Sequence, residues 1–168
     1  MAIATAKSRH LRAKNWKDTT GTLFIGIGKS SAWSNDNAPP TPDVNSTGIV
    51  EAIGYKQVDV KEFVVQDPSG NIEYLGQTWK ILSAEDAATQ NSRWIYVKAQ
   101  INYTELPTTT YRQIGIFSGL QKQSSASGKS ALLPAEVANV GVLEVIDNTT
   151  PNTRSVNQKD TICYILEF

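Results

Sequence analysis

The stretch Arg93-Trp94-Ile95-Tyr96-Val97-Lys98-Ala99-Gln100-Ile101-Asn102-Tyr103 decides the fold. Ile95, Val97, Ala99, Ile101 and Tyr103 alternate with Trp94, Tyr96, Lys98, Gln100 and Asn102. A period of two sends the two sets to opposite faces of a strand. Upstream, residues 78–82 predict a short strand, and Glu85–Ala88 after Ser83 a single helical turn. Residues 58–65 and 72–75 flank Asp67-Pro68-Ser69-Gly70-Asn71. Pro fixes φ early and Gly supplies positive φ late, so this segment predicts a β-hairpin. Residues 22–28 read as a strand buried on both faces and residues 111–117 as another. Residues 118–130, with five Ser and two Gly, predict a flexible loop. Residues 140–146 and 161–168 are the closing strands, separated by Asn148-Thr149-Thr150-Pro151-Asn152. About eight strands between turn clusters, with no long helix, predict a mainly β domain, an antiparallel β-sandwich or barrel-like fold.

Composition agrees with strands and narrows the chemistry. Ser, Thr and Asn supply 41 of 168 residues and charged groups only 19%, a mixture that favours strands and loops over charged surface helices. One Cys and one His leave no internal disulfide, Cys-rich zinc site or two-histidine metal site. Cys163, inside an alternating run, reads as a small strand side chain. Carboxylate pairs such as Glu85-Asp86 are adjacent in a loop and make a poor catalytic pair. No catalytic set, cofactor site or metal site is expected. Gly28-Lys29-Ser30 and Gly128-Lys129-Ser130 imitate the end of a phosphate-binding loop, but Leu23 and Gln123 stand where its first glycine belongs. Gly26-x-Gly28 lacks the third glycine of a dinucleotide fingerprint and reads instead as a place of close backbone approach. No segment approaches the roughly 18 apolar residues of a membrane span, and no secretory apolar stretch opens the chain. The expectation is a protein made in a cytoplasm, with no membrane partner.

Sixteen basic and sixteen acidic residues give zero net charge, which argues against a nucleic-acid partner. The zero is uneven. Lys7, Arg9, Arg12, Lys14 and Lys17 face only Asp18 in residues 1–20, so that segment carries +4 and the remainder −4. Residues 2–16 hold good helix formers without Gly or Pro. They predict a short basic helix or arm over 1–20, docked on the acidic body or on a partner, with a solvated, frayed terminus as the alternative. Deleting residues 1–17 is expected to harm association more than folding. Residues 21–168 then form the single β-sandwich domain. Within it, Lys29 to Asp43 is a long ordered loop, since Pro39, Pro40 and Pro42 exclude a helix. Trp33 is too large to leave exposed and is expected to pin that loop to the body or to a neighbour.

Four segments in order resemble the baseplate wedge family of contractile-tailed bacteriophages. Ala2-Ile3-Ala4-Thr5-Ala6-Lys7 to Asn15-Trp16 is similar to the family's N-terminal helix. Phe24-Ile25-Gly26 leading to Ala32-Trp33-Ser34-Asn35-Asp36-Asn37-Ala38-Pro39-Pro40-Thr41-Pro42 resembles its N-terminal loop. Tyr111-Arg112-Gln113-Ile114-Gly115-Ile116 resembles its aromatic-Arg-Gln-Ile-x-Ile strand, and residues 145–168 a closing hairpin that ends in an aromatic residue. Residues 51–83 match poorly, and the second β-domain of the longer classical members has no room here. The resemblance implies a compact structural virion subunit of the tail baseplate, without catalysis. It would pair with itself as a dimer and link neighbouring baseplate components. Lys7, Arg9, Arg12 and Lys14 of the arm, with Trp33, Pro39, Pro40 and Pro42 of the loop, are the expected contacts to other baseplate or tail proteins. The alternative is a glycan- or receptor-binding sandwich that uses its Trp and Tyr side chains.

Overall fold

The computed structural model describes residues 2–168. The chain is mainly β with antiparallel ladders and a short N-terminal helix, as the sequence predicts. It forms two compact units. The first gathers residues up to 21, 59–98 and 163–168, and the second residues 22–58 and 99–162.

In the first unit, helix α1 (Ala6–Thr19) starts where Thr5 accepts a hydrogen bond from the Ser8 N–H at 3.2 Å. It ends where the Thr20 hydroxyl and N–H both reach the Trp16 carbonyl. Strands β3 (Val60–Gln66), β4 (Ile72–Tyr74), β5 (Gln77–Ile81), β6 (Trp94–Ile101) and β12 (Asp160–Glu167) make a sheet in the order β12-β6-β3-β5-β4. The ends Ala99–Ile101 and Asp160–Ile162 belong to the second unit. One face of the sheet carries Val64, Trp79 and Tyr96, with Val60, Ile72, Tyr74, Trp94, Cys163 and Ile165 packed around them. Helix α2 (Ala84–Thr89) is capped by Ser83, whose hydroxyl accepts from the Asp86 N–H at 3.0 Å, as expected.

The expected hairpin is corrected by the register. Residues 67–70 do turn the chain, with the Gly70 N–H on the Asp67 carbonyl at 2.9 Å. Yet β5 lies between the two strands, pairing Val64 with Ile81 and Ile72 with Trp79. A Cβ on Gly70 would stand 2.2 Å from the Trp79 carbonyl, so the turn is crossed by the strand that splits the hairpin.

In the second unit, β1 (Leu23–Gly28) is central in the order β11-β7-β1-β2-β9. Its partners are β2 (Gly54–Gln57) and β7 (Thr110–Ser118), and all six of its residues are buried. Strand β9 (Ala131–Leu132) closes one edge and β11 (Val142–Thr153) the other. Phe24, Tyr55, Phe117, Ala126 and Leu132 form the core, against which Ile49, Leu120 and Leu143 pack. Arg154, only 2% exposed, ties the strand ends together. It pairs with Asp160 at 3.0 Å and donates to the carbonyls of Asn102 and Glu105. Lys56 is likewise buried, its ammonium on both oxygens of Glu105 at 2.8 and 2.9 Å.

Two more expectations fail here. Strand β11 continues through Asn148–Asn152 because it is an edge strand. Its register slips between Asn148 and Asn152, and Pro151 falls within that irregularity of an edge strand. Strands β11 and β12 sit in different sheets, so they are not a closing hairpin. Residues 118–130 are held rather than flexible. Strand β8 (Gln121–Lys122) pairs with β10 (Val137–Asn139), Ala126 is 1% exposed in the core, and the Lys122 ammonium binds the carbonyls of Ser127 and Lys129.

Candidate functional site

The long loop, residues 29–53, lies over β1 and β7, and the sequence of those strands makes the seat. Gly26 and Gly115 are cross-strand partners. A Cβ on either would meet Ile49 at 2.9 Å, so the paired glycines leave the slot that Ile49 fills. A Cβ on Gly28 would meet the Val50 carbonyl at 2.5 Å. That carbonyl accepts the Lys29 N–H at 2.6 Å, and the Ile53 N–H reaches the Ile27 carbonyl at 2.9 Å. The root of the loop is therefore closed by backbone hydrogen bonds. The glycines act through close backbone approach, as Gly26-x-Gly28 suggests.

Polar side chains clamp the rest. Arg112 makes a two-pronged bond to Asp36, 2.8 Å on each prong, and its third nitrogen donates to the Ser30 carbonyl at 2.7 Å. The bond from Arg112 holds the Asp36 carboxyl below its usual range, and Asp36 raises Arg112 in turn. Gln113 is buried. Its carbonyl accepts from the Val50 N–H at 2.6 Å and its NH₂ donates to Asn148 at 2.7 Å, which itself donates to the Pro40 carbonyl at 2.9 Å. One relay of two amides thus fixes both legs of the loop. Glu51 accepts from the Ser31 hydroxyl, the Ser31 N–H and the Ser30 hydroxyl, with Lys29 at 3.6 Å. These bonds, led by the Ser31 hydroxyl, lower its carboxyl from 4.5 to about 2.

Trp33 pins the loop to the body, as expected. Its indole donates to the Thr149 carbonyl at 3.1 Å, and the Lys29 ammonium sits 5.2 Å from the ring centre. Pro39 and Pro42 are half-buried, whereas Pro40 is exposed. The tip is bare: Val44 is 93% exposed, above a turn in which Asp43 accepts the Asn45 N–H. Sequence reasoning named Trp33 and the prolines but missed Asp36, Arg112, Gln113 and Asn148 as the clamp. The signal present was the single Arg112-Gln113 and the two Asp-Asn pairs, Asp36-Asn37 and Asp147-Asn148, which say nothing of contact until the strands pair.

The basic arm docks on acidic groups of its own unit, and is neither frayed nor free. Arg9 pairs with Glu167 at 3.3 Å, and Arg93 shares that carboxylate at 2.7 Å. Lys17 pairs with Glu62 at 3.3 Å and lies 5.8 Å from the Phe63 ring centre. His10, 5% exposed, donates through Nδ1 to the Ser92 carbonyl at 2.7 Å and packs on Phe63. Trp16 rests on Phe168, ring centres 5.1 Å apart. Lys61 donates to the last carbonyls, those of Lys17 and Gly21, both at 2.7 Å. Lys14 pairs with Asp18 on the helix itself. Lys7 and Arg12 are exposed and form no ion pair among the described residues. Among the described residues no cluster of three or more His, Cys, Asp and Glu is placed to hold a metal ion, and no helix is long and apolar enough to cross a membrane.

Along residues 1–168 the sequence matches the family described as "Baseplate wedge 3 tail fiber network component". The chain belongs to this family. It is also similar to "Virion protein 3" of Enterococcus phage phiEF24C, 35% identical over 161 residues that cover 92% of this chain and 88% of the relative. As a member of the baseplate wedge family, it is a structural virion protein with a place in the baseplate. The clamp brings together segments far apart in sequence: Arg112 and Asn148 both hold the Trp33–Pro42 loop.

Proposed function

We propose that this baseplate wedge protein links neighbouring components of a contractile tail and pairs with a second copy of itself. It is made in the host cytoplasm and carries out no catalysis. The observation that carries the reading is the clamped loop. Two ion-pair and amide systems and an indole hold its legs, while its tip presents Val44 and Pro40 to solvent. A pre-ordered loop loses little entropy when it docks, which favours contact with a neighbour. Pro40 of the loop contacts other tail proteins directly, and Lys7 and Arg12 of the arm face a neighbouring subunit. Trp33, Pro39, Pro42, Arg9 and Lys14 hold those surfaces in shape.

The test is assembly. In a phage carrying Val44→Asp with Pro40→Asp, the purified protein should melt like the wild type, since both side chains are exposed. Particles should lack complete baseplates by electron microscopy. Wild-type numbers of complete, infectious particles from a stable variant would overturn the proposal.

A further inference from the structure

Strands β4 and β5 are joined by a two-residue turn, Leu75-Gly76, with Tyr74 opposite Gln77. Both turn residues have positive φ, +48° at Leu75 and +74° at Gly76. That is the turn with left-handed backbone at both central positions, in which Asn or Asp normally precedes Gly. Leucine has no polar group to compensate the left-handed conformation, so its backbone is strained. Its side chain gains nothing from the fold either, being 85% exposed. The hairpin holds a leucine out into water at a cost in both backbone and solvation. Glu73, exposed, is the one charged residue of the tip, residues 72–78, with Lys80 farther down β5.

The complement lies on α1. Ile3 is 80% exposed just before the helix and Leu11 is 52% exposed on it. Lys7 stands one turn from Leu11 on the same stripe, and Arg12 flanks it about 100° farther round the helix, both exposed. This stripe is apolar and basic, whereas the hairpin tip is apolar and acidic. We infer that Leu75 and Glu73 of one copy dock on the Ile3–Lys7–Leu11–Arg12 stripe of a second copy. Leucine packs on Ile3 and Leu11, and the Glu73 carboxylate meets Lys7 and Arg12. The contact covers three of the most exposed large apolar side chains of this unit and gives a carboxylate to a pair of cations with no ion pair among the described residues.

The inference rests on the self-pairing half of the proposed function and not on the place in the baseplate. Its test uses the purified full-length protein and sedimentation velocity across a concentration series. Leu75→Asn keeps the turn, because asparagine adopts this backbone readily, so its melting temperature should equal or exceed the wild type. Its self-association should be about tenfold weaker or worse. Glu73→Lys should weaken association too, and adding Lys7→Glu with Arg12→Glu should restore it. A Leu75→Asn chain that associates like the wild type overturns this surface while leaving self-pairing intact. A wild type that stays monomeric at every concentration overturns both, and leaves the baseplate role to be read from particles.

Discussion

At the residue scale, the gap between Gly26 and Gly115 and the side chain that fills it form one unit. A methyl on Gly115 would stand 2.8 Å from the Phe117 ring and 2.9 Å from both Ile49 and Leu143. Gly115→Ala should therefore destabilise by about 1–3 kcal/mol in urea denaturation, through overpacking. Ile49→Ala empties a half-buried slot and should cost about 1–2 kcal/mol, less than a fully buried isoleucine. Because the two changes address the same space, the double variant should lose less than the sum, which a double-mutant cycle measures. Glu51 gives a second prediction. Its folded value of about 2 lies below the ordinary 4.5, so its hydrogen bonds stabilise the fold fully above about pH 4.5. That contribution is lost as pH falls through the folded value. Melting temperatures between pH 6 and 2 should drop less steeply in Glu51→Gln, and a carboxyl NMR titration should place Glu51 near 2.

At the scale of elements, α1 is part of the fold of its unit. Only His10 and Ala13 are buried on it, so the helix depends on the polar contacts at its ends. Lys61→Met would leave the Lys17 and Gly21 carbonyls to water and should cost about 1 kcal/mol, with faster hydrogen exchange in the last turn. Deleting residues 1–20 uncovers Phe63 and leaves Glu62 and Glu167 without their arm partners. The truncated chain should be poorly soluble or melt far below the full one by circular dichroism, which reverses the expectation that association suffers first. The reading of the helix shows what sequence carries and what it does not. Helix formers without Gly or Pro in residues 2–16 predict the element, and the charge split predicts an acidic dock. Which carboxylates, Glu62 and Glu167, is settled only by pairing across the sheet. The same holds for strands. Alternation marks β6, and continuous apolarity marks β1 as buried on both faces. The Pro-Ser-Gly turn after β3 is real, but turn chemistry is local and cannot say that β5 comes back between its arms. Ala126 sat unseen among serines because one buried methyl leaves no periodic trace.

On the scale of the whole chain, the contacts that matter for function join residues far apart in sequence. The clamp joins position 36 to 112 and position 40 to 148, and the arm joins position 9 to 167. None is legible from spacing, although every participating segment stood out by its residue types. The root of the loop has a practical outcome. Hydrogen bonds at Lys29–Val50 and Ile27–Ile53 close it like the neck of a bag, so length added at the tip does not load the strands below. Enlarging such a loop costs little, about 0.6 kcal/mol for each doubling. An epitope tag inserted between Asn45 and Ser46 should leave the melting temperature of the free protein nearly unchanged and be bound by its antibody in solution. Within particles the same tag would report, by protection or exposure, whether that tip is covered by a neighbour.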